Sequence, residues 1–293
     1  MSQWGRRVCS ACGLDISAEE FSRTQWVRGV GVSRCTICIQ EGIARDSNGF
    51  ETARENNSSK IQVDTDDIFA EGTFKYCAEG RYAGGHRTGQ KCVAKWFKDD
   101  NEMNDEFFRV DREAVEHALR IITQWNNAEI VPNLTIRLNI PERWTIDGRD
   151  CVVEPFIDDF TKFNSNTGWT NESRTTGVLQ ALSHYSYHIS SGQFLLCDLQ
   201  GGLQRNTAVL TDPVVMSRKH RFGPTDLGPR GMSTFFHHHR CNKWCRSEWT
   251  KPRDKRNYFQ ATMGTSMESS REYARHSQRM NTICESDTDS DGY

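Results

Sequence analysis

Clustered cysteines constrain this chain more than any other feature. Cys9 and Cys12 form one Cys-x2-Cys pair and Cys35 and Cys38 a second, with 22 residues between them. Far along the chain, FFHHHRCNKWC places His239, Cys241 and Cys245 within seven residues. Eleven cysteines is an odd count, and this clustering suits metal ligation better than a disulfide framework. Two Cys-x2-Cys pairs at that separation point to a Zn(Cys)4 site, which a single redox pair does not explain. Residues 1–43 are therefore expected to form a small metal-dependent domain, because so short a unit has little core of its own.

The rest of the composition sets wider bounds. At 293 residues the chain can form one large domain or two smaller ones, and 36% hydrophobic with 10% aromatic residues supports a substantial core. Thirty-seven basic against 39 acidic side chains give a net charge of -2, which excludes the global basic field of a dedicated nucleic-acid binder. No apolar run approaches the ~18–20 residues needed to span a bilayer. The N-terminal MSQWGRRVCSACG lacks the apolar core of a secretory signal. The expectation is an intracellular protein, cytoplasmic or nuclear, in a reducing compartment.

Polar, Asn/Ser/Glu-rich residues 44–60 read as a linker. Residues 61–250 alternate strand-like and helix-like patterns. Apolar residues from Phe107 to Trp125 recur at spacings of three and four, predicting a helix over about 104–125. LTIRLNI, DCVVEPFI and FLLCD read as strands, with a helix from about Thr176 to Ile189 before the last. A strand-rich first half and a mixed second half fit an α+β fold of two lobes around a cleft. Residues 251–293, rich in Ser and Thr and ending ESDTDSDGY, read as a mostly disordered acidic tail.

Three residue groups carry chemistry. His239, Cys241 and Cys245 can give three ligands to a tetrahedral zinc, with His184 of LQALSHYSYH as the fourth. Ordinary buried cysteines and surface histidines are the alternative, and three adjacent histidines leave the ligand ambiguous. Asp198 follows the apolar strand in CDLQG, ahead of a Gly pair read as flexible; Asp212 lies in LTDP fourteen positions later. With Gln200 these carboxylates suit Mg²⁺, a hard cation that prefers oxygen donors, although DP and DxxG are also common turn sequences. Lys95 interrupts the apolar strand KCVAKWF, so it needs an anionic ligand or a carboxylate partner unless it points to solvent from an edge strand.

Taken in order, these segments resemble the alpha-kinase family, the atypical protein kinases that include myosin-heavy-chain kinases, elongation-factor-two kinase and the channel-kinases. FAEGTFKY is similar to the first strand and its glycine loop, VAKWF to the lysine strand, and VVEPF to the hinge. FNSNTGW resembles the Asn-rich segment that follows, and LQALSHYSYH–CDLQG–LTDP the catalytic core. FGPTDLG resembles the glycine loop and FFHHHRCNKWC the zinc module. The resemblance runs from about Phe69 to Cys245. It implies a bilobal, atypical protein-kinase-like catalytic domain using ATP, Mg²⁺ and structural Zn²⁺.

By that resemblance Lys95 contacts the α/β-phosphates, Glu154 the adenine edge, and Gly72, Lys75, Gly223 and Gly228 belong to nucleotide-side loops. Asp198 orients or deprotonates the acceptor hydroxyl, Gln200 and Asp212 hold Mg²⁺, and His184, His239, Cys241 and Cys245 hold zinc. Such chemistry is mainly positioning and charge neutralisation around a loose, highly charged transition state. Three departures stand out: Lys75 in place of the usual Arg, Asp226 in place of the usual Asn, and about four extra residues between DLQG and LTDP.

Residues 1–43 look like a small treble-clef or zinc-ribbon domain of the kind used by adaptors. Arg6, Arg7, Arg23, Arg28 and Arg34 with Trp4 and Trp26 form either a basic-aromatic binding face or ordinary solvated arginines. Protein docking is favoured over nucleic acid. The leading expectation is an active serine/threonine kinase acting on a protein substrate. The alternative is a weak or inactive pseudokinase adaptor that presents the zinc module. Tail hydroxyls, Thr265 and Ser266 among them, are candidates for autophosphorylation.

Overall fold

The computed structural model describes residues 5–8, 15–29, 33–36, 39, 43–45, 51–98, 105–204 and 206–268. The chain divides into two compact units. One comprises Met1–Phe108, Leu119–Thr161 and Gly201–Thr211; the other comprises Arg109–Ala118, Lys162–Gln200 and Asp212–Tyr293.

In the first unit, β1 (Arg6–Val8) and β2 (Asp15–Ser17) pair antiparallel and precede the short helix α1 (Arg23–Val27). Ser22 caps that helix by accepting from the Gln25 N–H at 3.3 Å. Arg7 lies 3.8 Å over the Trp26 ring and donates to the Trp26 carbonyl and Ser33 Oγ, and Arg34 pairs with Glu55. These arginines therefore hold the local structure together. Cys35 is buried, whereas Cys9, Cys12, Cys38 and Trp4 lie outside the described residues.

Residues 44–60 are not the expected linker. β3 (Ile43–Arg45) and β4 (Glu51–Arg54) pair antiparallel, and β4 runs parallel to β8 (Thr135–Asn139). The polar composition misleads because these polar groups are satisfied inside the fold. Arg54 donates to Asn139 Oδ1 and the Phe156 carbonyl, and buried Asn56 donates to the Val153 carbonyl at 2.8 Å.

β5 (Ile61–Glu71), β6 (Lys75–Tyr82) and β7 (Lys91–Phe97) continue antiparallel. After them come β9 (Glu142–Ile146) and β10 (Arg149–Pro155), giving a five-stranded sheet ordered β5-β6-β7-β10-β9. β7 and β10 bury successive residues, and so both of their faces, which is why both read as nearly continuous apolar runs rather than alternating ones. Ala78, Tyr82, Cys92, Ala94, Trp96, Cys151 and Val153 form its core. Helix α2 (Asp105–Asn127) buries Val110, Ala114, Ala118, Ile121, Ile122 and Trp125, the periodic face seen in the sequence.

β11 (Thr161–Lys162), β13 (Gln200–Gln204) and β14 (Thr207–Thr211) join β8, β4 and β3 in a six-stranded sheet ordered β11-β13-β14-β8-β4-β3. The extra length between DLQG and LTDP is thus taken up by two neighbouring strands. Gly201 and Gly202 are not a flexible pair. A Cβ on Gly201 would lie 1.9 Å from the Val209 carbonyl oxygen, and one on Gly202 would lie 2.4 Å from that of Asp158. Close backbone approach requires both.

In the second unit, helix α3 (Arg174–Ile189) starts at Ser173, whose hydroxyl accepts from the Thr176 N–H at 3.1 Å. β12 (Phe194–Cys197) pairs antiparallel with β15 (Val214–Ser217), and α4 (Gly228–His238) follows. Tyr187, Leu195, Cys197, Val214, Met216, Leu227, Met232, Phe235 and Phe236 form its core. Order does not end at Thr250. Residues 251–268 run as an extended segment that hydrogen-bonds along this unit, because Ser, Thr and backbone groups there find partners. Among the described residues no helix is long and apolar enough to cross a membrane.

Candidate active site

In the first unit, Lys95 on β7 and Glu154 on β10 sit diagonally across the strand pair, in register with Val152 and Val93 respectively. Their side chains are 7% and 4% exposed and form an ion pair. Thr211 donates to the other Glu154 oxygen and lies 3.5 Å from Lys95 Nζ. A buried ammonium needs this compensation, so the carboxylate partner that the sequence demanded is Glu154. Both Glu154 oxygens are thus engaged, one by Lys95 and one by Thr211.

Gly72 donates its N–H to the Lys75 carbonyl at 2.9 Å and closes the β5–β6 turn. The Lys75 ammonium lies 5.4 Å from the Phe97 ring centroid and 5.3 Å from that of Phe107, a cation–π placement.

In the second unit, Asp198 leaves β12 with φ of +59°, a left-handed conformation that turns the chain out of the strand. It is 1% exposed. Its Oδ2 accepts from Lys162 Nζ at 2.7 Å and its Oδ1 from the Asn166 N–H at 3.3 Å. Burial raises its pKa above the usual carboxylate value, opposed by Lys162. Lys162 also lies 3.3 Å from Gln200 Oε1. Asp198, Gln200 and Lys162 thus form one cluster. Asp212 stands half-buried at the end of β14 with φ of +45°.

Sequence reading missed Lys162 and gave Asn166 no role. Lys162 carries no periodicity signal and shows only as a basic residue just before FNSNTGW. That segment is buried and serves as a bracket: Asn164 Oδ1 accepts from the Leu199 N–H at 2.7 Å, fixing the residue after Asp198.

Asp226, which stands in place of the usual Asn, is consumed by its own loop. It is fully buried and accepts from Ser217 N and Oγ, Phe222 N and Gly228 N at 2.8, 2.6, 3.2 and 3.0 Å. Gly223 (φ +78°) and Gly228 (φ +58°) shape this loop; a Cβ on Gly228 would lie 2.2 Å from His220 Nε2.

His184, His239, Cys241 and Cys245 come together, all four ligand atoms lying within 4.8 Å of one another. Cys241 Sγ is 3.6 Å from His184 Nδ1 and 3.7 Å from His239 Nε2, and Cys245 Sγ is 3.7 Å from the same Nε2. Tetrahedral zinc with Zn–N near 2.0 Å and Zn–S near 2.3 Å requires N···S edges of roughly 3.6 Å, so the donor set fits the ion. His184 Nε2–H donates to the Thr250 carbonyl at 3.1 Å, which leaves Nδ1 bare towards the cluster. Burial lowers His184 to about 4 and His239 to about 3, giving neutral imidazoles. Burial also pushes the Cys245 thiol up to about 11, so metal binding there must displace a proton. Of the three adjacent histidines, His239 is the one in this group, and His237 directs its Nδ1 to the Lys255 carbonyl instead.

The profile of the Alpha-kinase family matches residues 70–245, more than half of the chain. The chain is 33% identical over 187 residues to Alpha-protein kinase 1 of Dictyostelium discoideum, covering 60% of this chain and 13% of that protein. It is 34% identical over 104 residues to the eukaryotic elongation factor 2 kinase of Homo sapiens, 35% of this chain and 14% of the relative. The chain spans 15% or less of the length of such curated relatives. Among solved structures it is similar in fold to the alpha-kinase domain of myosin heavy chain kinase A in complex with AMP. There the TM-score is 0.55 at 22% identity, covering 63% of this chain and 88% of that one. An alpha kinase from Entamoeba histolytica gives a TM-score of 0.56 at 24% identity over 71% and 85% of the two chains. With the profile spanning the lysine strand through to the zinc-type cluster, the chain belongs to the alpha-kinase family.

Proposed function

We propose that the chain is an ATP-dependent serine/threonine protein kinase that transfers a γ-phosphoryl group to a hydroxyl of a protein substrate. The observation that carries this is the buried Asp198 carboxylate held by Lys162 beside Gln200. Burial increases its proton affinity, so it can take the proton of an acceptor hydroxyl late in the transfer. Lys162 holds that carboxylate in place. Lys95, kept charged and oriented by Glu154, is the cation for the α/β-phosphates. Gln200 and Asp212 offer hard oxygen donors of the kind Mg²⁺ takes. Mg·ATP when bound supplies the phosphoryl group and partial neutralisation of its charge. Gly72, Lys75, Gly223 and Gly228 are assigned to the nucleotide-side loops. A related inactive alpha-kinase domain, that of myosin-II heavy chain kinase A, has been solved complexed with ATP.

His184, His239, Cys241 and Cys245 are assigned one structural zinc, since four protein ligands leave no open position for chemistry. Cys9, Cys12, Cys35 and Cys38 are assigned a second, in a module that docks a protein partner or substrate. Thiolate ligation of this kind suits a reducing compartment, cytoplasmic or nuclear. The adaptor reading without transfer loses part of its motive, because Asp226 is spent on its own loop. The test is labelling of a generic basic protein by the purified chain with Mg·ATP. Asp198→Ala is expected to abolish it, and equal labelling by that variant would defeat the assignment.

A further inference from the structure

Within the second unit, a cavity of about 520 Å³ lies among the end of α3, the residue after β15, the first turn of α4 and residues 251–258. Arg218, Arg230, Lys251 and Arg253 line it, all four exposed. Among the described residues none of the four is in an ion pair. The carboxylate in the lining, Asp254, is already spent. Its Oδ1 accepts from the Arg256 N–H and Nε at 3.1 and 3.0 Å, and its Oδ2 from Arg256 Nη2 and the Tyr258 hydroxyl at 3.0 and 2.6 Å. Arg256, helped by Tyr258, holds that carboxyl well below the usual carboxylate range. The cavity is therefore strongly positive in a chain whose net charge is -2. A concave wall of one sign concentrates its field on whatever enters.

Two of the cations are held in place. Arg218 Nε donates to the Gly192 carbonyl at 2.8 Å, and the Arg230 guanidinium lies 5.7 Å from the Tyr258 ring centroid. Such pre-ordering lowers the cost of binding an anion, and the arginine fork matches a carboxylate in two-point contact. Met232, a core residue, adds an apolar wall. A single phosphate would fill only a small part of this volume, whereas carboxylates spaced along one peptide can each meet a cation from a different element. A nucleobase would need an open aromatic face, but Tyr258 already has the Arg230 and Arg256 guanidinium groups against its ring. We propose that this cavity docks an acidic segment of a partner protein, its Glu and Asp side chains on Arg218, Arg230, Lys251 and Arg253 and an apolar side chain against Met232. None of these residues belongs to the Lys95–Glu154 or Asp198–Lys162 groups, so the docking stands or falls apart from phosphoryl transfer.

The experiment is fluorescence anisotropy with the full chain and a labelled peptide of Glu and Asp carrying one Leu. The peptide is expected to bind, to weaken as salt is raised, and to lose binding when its acids are replaced by Gln and Asn. Arg230→Glu/Arg253→Glu should weaken it by roughly tenfold or more, since two charge-assisted contacts are lost. Arg253→Glu alone, on an exposed loop, should act in the same direction if the double variant does not fold. Carbodiimide coupling of the bound peptide, mapped by mass spectrometry, should join it to Lys251. Equal binding by folded Arg253→Glu, or by the Gln/Asn peptide, overturns the proposal. Displacement by inorganic phosphate at an ionic strength where chloride has no effect overturns it in favour of a single-anion site. Tighter binding of a short single-stranded RNA overturns it in favour of nucleic acid. Binding that appears only once Glu285, Asp287, Asp289 and Asp291 are changed to Gln and Asn gives the cavity to the chain's own acidic end and overturns the partner.

Discussion

Lys162 Nζ lies 2.7 Å from Asp198 Oδ2 and 3.3 Å from Gln200 Oε1, so one ammonium joins the candidate base to a candidate magnesium ligand. The pair is nearly dry, with side-chain exposures of 14% and 2%. In such surroundings an attractive charge counts for more than in water. Positioning of the base therefore depends on a lysine that no sequence pattern announces.

Lys162→Met is expected to lower transfer by about 10²–10³-fold, the range of a displaced general base. The same variant separates positioning from mere structure through its pH profile. The active form is the Asp198 carboxylate, present above its pKa and lost as pH falls through it. Burial raises that pKa and Lys162 opposes the rise, so removing the lysine raises it further. The acid limb of the rate profile should move to higher pH, and an unmoved limb would argue against the contact.

The Lys95–Glu154 pair makes a stability prediction. Glu154→Ala leaves a buried ammonium without its counter-charge, which costs about 3–5 kcal/mol. The urea midpoint should fall with an unchanged slope, whereas Glu154→Gln, which keeps an acceptor for Thr211, should lose less.

How much of this was legible beforehand divides along physical lines. The lysine strand, the helix through Trp125, the strand before Asp198 and the close spacing of His239, Cys241 and Cys245 were readable, because periodicity and ligand spacing are local, whereas His184 lies far upstream of them. The β3–β4 pair was not, since residues 44–60 are polar in overall composition and β4 pairs with β8 about 80 residues away, a long-range pairing that composition does not encode. The role of Asp226 was not legible either: its four donors come from Ser217, Phe222 and Gly228, and no local pattern marks them. The contact of the Thr265 hydroxyl with Asp198 Oδ2 was hidden because a Ser/Thr-rich segment carries no apolar pattern and is positioned by Asn166 and Thr167 from far upstream.

Asp226→Asn should destabilise by about 1–3 kcal/mol, because the new amide faces hydrogen-bond donors such as Phe222 N and Ser217 Oγ. Transfer per folded molecule is expected to stay unchanged. A rise in activity on restoring Asn would mean that the carboxylate does reach the reacting groups.

Elemental analysis of the purified chain should find two zinc ions per molecule. Cys241→Ser should remove one of them. Stripping the C-terminal ion with a strong chelator should cost on the order of 10 kcal/mol of folding free energy and collapse thermal stability. Unaltered metal content in Cys241→Ser would exclude that cluster as a site.

The central claim is that this chain moves phosphate using Lys95 and Asp198. Timed transfer of radiolabel from Mg·ATP to a generic basic protein, run side by side for the intact chain, Lys95→Ala and Asp198→Ala with folding checked by circular dichroism, tests it most directly. The account predicts steady incorporation by the intact chain and none above background by either folded variant. Incorporation by both variants at the intact chain's rate, or none by the intact chain itself, would contradict it.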